Sequence, residues 1–240
     1  SIMTYAFRGC SNLSSVTIPS SVTSIGQQAF ESCYDLTSVT IQSGVKSIGT
    51  MAFYDCDALT SVTVPWSVTS IGNEAFCQCD SLTEIIVASS NSEYCSQNGI
   101  LYNKAKTILK QCPAGKSGSV EVPTSVTSIG WYSFYGCSKV SSVTIPSGVT
   151  IIDQGAFYDC SGLSSITLPS GVKSIGMVAF RYCSGLTSVT IPSTVTSIGS
   201  NAFQGCGKLV AVHVDQGDGN RVKGLYGWPS AVEFMEPIAV

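Results

Sequence analysis

A unit of 23 residues recurs along most of this 240-residue chain. One copy reads LSSVTIPSSVTSIGQQAFESCYD, and close copies begin at Leu13, Leu36, Leu59, Val140, Leu163 and Leu186. A fixed period of this length is typical of solenoids, in which each unit forms one coil and covers its apolar side only by stacking on its neighbours. The repeat therefore predicts a stack of coils rather than ordinary globular domains.

Each unit combines two extended pieces with a bend. The apolar–polar alternation of residues 16–18 predicts a short strand, and Pro19 should end it because proline lacks an amide proton for the next ladder hydrogen bond. Residues 22–25 predict a second short strand. The apolar positions within residues 29–33, spaced by three and four, predict one turn of helix or 3₁₀ helix on the outer side.

Stacking places equivalent side chains of successive coils in internal ladders. One predicted ladder consists of Val16, Val39, Val62, Val143, Ile166 and Val189. A second consists of Phe30, Phe53, Phe76, Phe134, Phe157, Phe180 and Phe203.

The recurring pattern Leu-x-x-Val-x-Ile-Pro…Val-x-x-Ile-Gly-x-x-Ala-Phe-x-x-Cys resembles the leucine-rich repeat superfamily and, within it, the BspA-like subclass of bacterial and protist surface proteins. The resemblance implies a leucine-rich repeat solenoid over residues 1–212. This would be an α/β-type right-handed superhelix of stacked 23-residue coils, with short parallel strands and short helical or 3₁₀ turns. It also implies a surface or secreted adhesin that contacts matrix proteins, host cells or other microbes. Unlike the common leucine-rich pattern, no asparagine ladder follows the strand.

The repeat is interrupted once and stops before the end of the chain. An enlarged coil is expected at residues 88–119, where segments 100–102 and 107–109 predict a hairpin. This coil is either a structural variant or a loop shaped for a ligand. Residues 213–240 are expected to form a C-terminal cap with a short helix at 220–226 and a final strand at 231–235. Because residues 1–12 match the second half of a unit, we expect a segment of a longer protein.

Composition and residue chemistry argue against several functions. The net charge is −3 without a basic run, so no nucleic-acid partner is expected, and no apolar stretch approaches transmembrane length. His213 is the single histidine and is expected to face solvent, so we predict no catalysis, metal or cofactor. Cys95 and Cys112 flank the hairpin and either pair or stay reduced. A buried, reduced ladder is expected from Cys10, Cys33, Cys56, Cys79, Cys137, Cys160, Cys183 and Cys206.

Two surfaces remain for binding. Outward positions of the first strands are mostly serine and threonine, interrupted near the enlarged coil, and the outer turns carry tyrosine and tryptophan. Both features also have purely structural explanations, since threonine suits exposed strand positions and aromatic rings can pack between coils. The predicted partner-binding residues are Thr63, Trp66, Glu84, Ile86, Glu121, Trp131 and Thr144.

Two functions compete on this sequence. The first is a monomeric extracellular or cell-surface protein that binds other proteins, and the second is a structural spacer that displays other domains of a longer parent protein. A distinct patch beside the enlarged coil favours binding, whereas near-identical units favour the spacer.

Overall fold

The computed structural model describes residues 1–215, Gly219, Val222, Gly224, Trp228 and residues 233–235. The chain divides into two compact units, residues 1–116 and 117–240. Each unit is a stack of coils joined by short parallel strands. The register is the sequence period itself, since Ser15 pairs with Ser38, 23 residues later. The predicted solenoid is therefore confirmed.

In the first unit, two rows of strands run along the stack. The first row contains β1 (Ser15–Ile18), β3 (Ser38–Ile41), β5 (Ser61–Val64) and β7 (Glu84–Val87), which pair as β1–β3 and β5–β7. The second row contains β2 (Ser24–Ile25), β4 (Ser47–Ile48) and β6 (Ser70–Ile71), which form one three-stranded sheet. In β3 and β5 the alternating valines and isoleucines face the core, while serine and threonine face outward.

The enlarged coil of the first unit folds as an antiparallel meander of β8 (Tyr94–Gln97), β9 (Ile100–Asn103) and β10 (Ile108–Gln111). The predicted hairpin is confirmed in the pairing of Tyr102 with Leu109. The additional strand β8 was not predicted. It joins β9 through the turn at Asn98-Gly99, where both residues have positive φ.

The second unit repeats the two rows. Its first row contains β11 (Gly118–Glu121), β13 (Val140–Thr144), β15 (Ser165–Thr167), β17 (Ser188–Ile191), β19 (Ala211–Val214) and β20 (Glu233–Met235). Its second row contains β12 (Ser128–Ile129), β14 (Ile151–Ile152), β16 (Ser174–Ile175) and β18 (Ser197–Ile198). The first row is split, because β11–β13 and β15–β17–β19–β20 are separate sheets.

The outer segments are chains of tight turns rather than helical turns. In residues 26–33, one amide donates within the coil, as Ala29 does to Gly26 (3.3 Å), and the next donates to the following coil. Gln28 and Ser32 have φ of 53° and 58°, and left-handed residues at this spacing interrupt a helix. The bonds between coils run from Gln28 N to Thr50 O (2.9 Å), Phe30 N to Ala52 O (2.8 Å) and Ser32 N to Tyr54 O (2.9 Å).

The phenylalanine ladder forms the centre of each stack. All seven predicted rings are fully buried. Neighbouring centroids lie 5.1 Å apart for Phe30 and Phe53, and 5.0 Å apart for Phe157 and Phe180, with nearly parallel planes. Trp228 continues the ladder by stacking on Phe203 at 4.5 Å.

The end of the second unit is described in part. Residues 233–235 of the predicted final strand form β20, which pairs in parallel with β19. Apart from Val222 and Gly224, the predicted helix at 220–226 lies outside the described residues. The assignment of residues 213–240 as a cap stays a prediction.

Candidate functional site

The outward face of β5 and β7 holds three of the predicted partner-binding residues. Thr63 lies beside Ile86 in the strand register, and Ser61 lies beside Glu84. Ile86 is 41% exposed at a position where the other coils of this unit carry threonine. The face thus combines an apolar side chain, a carboxylate and hydroxyls, none of which the buried core requires.

The meander of the enlarged coil fixes the free edge of β7. The Ile85 amide donates to the Gly99 carbonyl at 2.8 Å, and the Val87 amide donates to Ser96 Oγ at 3.0 Å. Position 99 requires glycine, because its φ is +76° and a Cβ would lie 2.9 Å from the Cβ of Glu84. The turn therefore sets the backbone position of Glu84 and leaves its side chain exposed.

A buried asparagine anchors the start of the meander. Asn91 is 1% exposed, and its Nδ2 donates to the carbonyls of Pro65 (3.0 Å) and Val68 (2.9 Å). Its Oδ1 accepts the amides of Glu93 (2.9 Å) and Tyr94 (2.8 Å). One side chain thus satisfies four backbone groups of the irregular segment, which holds the meander in place beside β7.

In the second unit, Glu121 and Thr144 are neighbours in the register of β11 and β13. Beside them, the split between β13 and β15 opens a shallow groove of about 320 Å³. Valine and isoleucine form its floor and hydroxyls form its rim. The hydroxyl side chains that line it are Ser142, Thr144, Ser165 and Thr167. This groove was not predicted, because the sequence runs through the split without a change of pattern.

The two predicted tryptophans lie outside these strands. Trp66 follows β5 and is 51% exposed, and the Lys46 ammonium lies 5.4 Å from its ring centroid. Trp131 lies in the outer turn after β12 and is 52% exposed. The structure therefore places Thr63 next to Ile86, and Glu121 next to Thr144. Trp66 and Trp131 are each exposed outside these two pairs.

The outer turns of the second unit carry a connected set of tyrosines. Tyr135 and Tyr158 meet edge to face with centroids 5.0 Å apart, and Tyr158 meets Tyr182 in the same way at 5.6 Å. Arg181 covers the Tyr182 ring, with its guanidinium carbon 4.7 Å from the centroid. Burial raises the pKa of Tyr158, and Arg181 opposes that shift. The sequence analysis pointed to tyrosines of the outer turns but missed Arg181.

The cysteines serve structure in every coil where they are buried. All eleven lie in the described part of the chain and none forms a disulfide; seven of the eight ladder cysteines are buried, whereas Cys10 is exposed. Each thiol of the ladder for which a bond is described donates to the carbonyl of the preceding coil's phenylalanine, as Cys183 Sγ does to Phe157 O at 2.9 Å. Burial raises the pKa of the Cys33 thiol to about 12, with further contributions from Cys56 and Cys10.

Metal and membrane features are limited within the described part of the chain. No cluster of three or more histidine, cysteine, aspartate or glutamate side chains suits a metal ion there. His213 lies on the exposed face of β19, between Thr190 and Met235 in the register. The helices of the described residues include none with the length and hydrophobicity needed to span a bilayer.

Comparison with known proteins agrees with the coil geometry. The family model for the BspA type leucine rich repeat region matches residues 1–112 and 106–218, with six copies. No curated protein matches the chain in sequence.

Several solved structures are similar to the chain, among them the following three. A leucine-rich repeat protein from Eubacterium ventriosum is 31% identical with a TM-score of 0.66, covering 85% of this chain and 66% of its own. A leucine rich cell surface protein from Faecalibacterium prausnitzii is 27% identical with a TM-score of 0.75, covering 95% and 66%. The pneumococcal vaccine antigen PcpA, at 24% identity and a TM-score of 0.72 over 93% and 62%, shares the fold. The chain thus spans slightly less than two thirds of each of these proteins.

Proposed function

The chain belongs to the BspA-type leucine-rich repeat family, and we propose that it is a non-catalytic protein-interaction module of a secreted or cell-surface protein, serving adhesion to host or matrix proteins. The leucine-rich repeat is generally a fold for protein interaction rather than catalysis. The description of the F. prausnitzii relative as a cell surface protein supports this location.

The observation that carries the proposal is the exposed face of β5 and β7. The core fixes only the inward positions of each strand, so the outward residues are free to serve recognition. At this face the threonine of the repeat is replaced by Ile86, which is 41% exposed and lies next to Thr63. The exposed carboxylate of Glu84 lies two residues earlier on the same strand. Apolar groups ringed by polar ones are typical of protein-binding patches.

The face formed by Glu121 and Thr144 is the corresponding proposal in the second unit. It lies beside the hydroxyl-lined groove, where two sheets meet without ladder hydrogen bonds. A partner side chain that enters the groove would meet an apolar floor and four hydroxyls, which suits a polar or mixed protein surface. Trp66 and Trp131 add exposed aromatic area, which binding interfaces favour.

Binding to a panel of immobilised extracellular-matrix and cell-surface proteins tests this function. The informative variant is Ile86→Asp, and Thr40→Asp is its matched control because Thr40 occupies the same outward position two coils earlier. Glu121→Lys tests the second unit. We expect saturable binding that Ile86→Asp or Glu121→Lys weakens and Thr40→Asp leaves unchanged.

The alternative function is a structural spacer that displays other domains of a longer parent protein. The near identity of the coils supports it, because a spacer needs a regular stack and no distinct surface. The spacer is favoured if the chain binds no member of the panel. Binding that is equally insensitive to all three substitutions would contradict the proposed sites while leaving a binding function in place.

A further inference from the structure

Two arginines occupy the same position of the repeat in different surroundings. Arg8 follows Phe7 of the ladder, and Arg181 follows Phe180. The residue one coil after Arg8 is Glu31, and Arg8 Nε lies 2.6 Å from Glu31 Oε2. The repeat therefore supplies this arginine with a carboxylate in the adjacent coil.

Arg181 lacks that carboxylate. The residue one coil later is Gln204, and Arg181 forms no ion pair with any residue that the structure describes. Its Nε is buried and has no hydrogen-bond partner among those residues. Nearly all buried N–H groups of folded proteins have an acceptor, so the guanidinium of Arg181 keeps donor capacity that its surroundings in the described chain do not use.

The tyrosines hold the guanidinium in place. Arg181 Nη2 donates to the Tyr182 hydroxyl at 2.9 Å, and the guanidinium lies over the rings of Tyr182 (4.7 Å) and Tyr158 (6.0 Å). Gly205 makes room for this arrangement, because a Cβ there would lie 2.3 Å from Tyr182 Cδ1. Gly155 does the same for Tyr132, whose Cε1 would be 2.3 Å from a Cβ. The arginine is thereby preorganised on an aromatic platform.

We propose that Arg181, framed by Tyr158 and Tyr182, is a docking site for an aspartate or glutamate side chain of a partner protein. The planar guanidinium matches a carboxylate, and Arg8 with Glu31 shows that the same position of this fold forms that pair. Tyrosine and arginine are also enriched among the residues that contribute most to binding at protein interfaces. This inference rests on the proposed protein-binding function and names the chemistry of one contact.

NMR of the whole chain tests the site directly through the Arg181 Nε–H resonance. The probes are two peptides, acetyl-Ala-Ala-Glu-Ala-Ala-amide and the same peptide with glutamine in place of glutamate. We expect the glutamate peptide to shift the Arg181 Nε–H signal saturably, with a dissociation constant on the order of 1–10 mM for a single contact. The glutamine peptide should cause no comparable shift. The Arg8 Nε–H signal is the internal control, since Glu31 already occupies it.

Gln204→Glu is the decisive variant. It places a carboxylate in the position that Glu31 has relative to Arg8, so the new carboxylate should pair with Arg181 within the chain. The affinity for the glutamate peptide should then fall by about tenfold or more. Arg181→Gln removes the Arg181 Nε–H resonance itself, so its effect is followed on the backbone amide of Tyr182, where the shift caused by the glutamate peptide should be lost. Arg8→Gln, the matched control, should leave the Arg181 response intact. Unchanged amide spectra elsewhere show that each variant is folded.

Several results would overturn the proposal. These are equal shifts with both peptides, no shift at about 20 mM glutamate peptide, or full binding by Gln204→Glu. Preferential binding of a sulfated oligosaccharide would replace the protein partner with a glycan. If panel proteins bind the chain and Arg181→Gln changes neither their binding nor that of the glutamate peptide, the Arg181 site is refuted and the proposed function stands. If the peptide binds and no panel protein does, the adhesive function fails and the carboxylate site stands.

Discussion

Replacing Phe157 by alanine should destabilise the second unit strongly. The ring is fully buried and stacks on Phe134 with centroids 4.8 Å apart and on Phe180 at 5.0 Å. Phe7 provides the matched control, because it holds the same repeat position but is 40% exposed and stacks on Phe30 alone among the described rings.

The expected cost follows from burial and from the cavity. Loss of the transfer free energy of a buried phenylalanine side chain costs about 2–3 kcal/mol. A cavity of about 100 Å³ would add about 2 kcal/mol at roughly 24 cal/mol per Å³, and partial collapse of the neighbouring rings reduces that contribution. We expect Phe157→Ala to lower the free energy of unfolding by about 3–5 kcal/mol. Phe7→Ala leaves a space open to solvent and should cost about 1 kcal/mol.

Urea unfolding followed by circular dichroism measures both variants, with the midpoint and the m-value compared between them. Amide hydrogen exchange then shows whether the loss is concentrated in the coils that contact residue 157. Equal costs for the two substitutions, or a cost below about 1 kcal/mol for Phe157→Ala, would refute the argument that the stacked rings are the core of the unit.

Three further outcomes follow from the structure. Asn91→Ala leaves four backbone groups without their side-chain partner and should cost about 2–4 kcal/mol in urea unfolding, with faster amide exchange in β8; unchanged exchange there would contradict its anchoring role. Iodoacetamide at neutral pH should label Cys10 first and Cys95 more slowly in the native chain, and rapid labelling of the buried ladder thiols would show that they are accessible. Because the Cys33 pKa is raised to about 12, the unfolded chain loses this proton first as pH rises, so stability should be constant below about pH 8 and fall between about pH 9 and 12, and Cys33→Ala should reduce that slope.

The sequence was sufficient to predict the strands and ladders because one period determines both. Inward residues of every coil must be apolar, so Phe157 and Cys183 could be assigned to the core by repeat position alone. The outer turns were harder to predict, since apolar spacings of three and four suit a helix and a chain of turns equally. One signal was available: Gly9, Gly136 and Gly205 occupy the repeat position at which Ser32 and Tyr182 have positive φ, which is incompatible with a regular helix.

The enlarged coil could be predicted from the sequence only in part, for a different reason. The Asn98-Gly99 pair is a strong hairpin signal, yet the strand before it, Tyr94–Gln97, is largely polar and lacks the usual strand formers. Its position depends on the hydrogen bond that the Tyr94 amide donates to Asn91 Oδ1 and on the bond that the Ile85 amide donates to the Gly99 carbonyl, which no local propensity encodes. By contrast, the adjacency of Thr63 and Ile86 followed from the 23-residue offset and could be predicted.

The repeat also gives the protein an internal reference for function. A residue that recurs in every coil is explained by stacking, so a binding residue must be sought where one coil departs from the others. Arg8 and Arg181 have the same backbone position and the same preceding ring, and they differ in the residue one coil later, Glu31 or Gln204. They also differ in the next residue, Gly9 or Tyr182. Arg8 is therefore paired with a carboxylate, whereas Arg181 lies against tyrosine rings and has a buried, unpartnered Nε. Because the repeat position is the same, the missing carboxylate is the feature that a partner would supply.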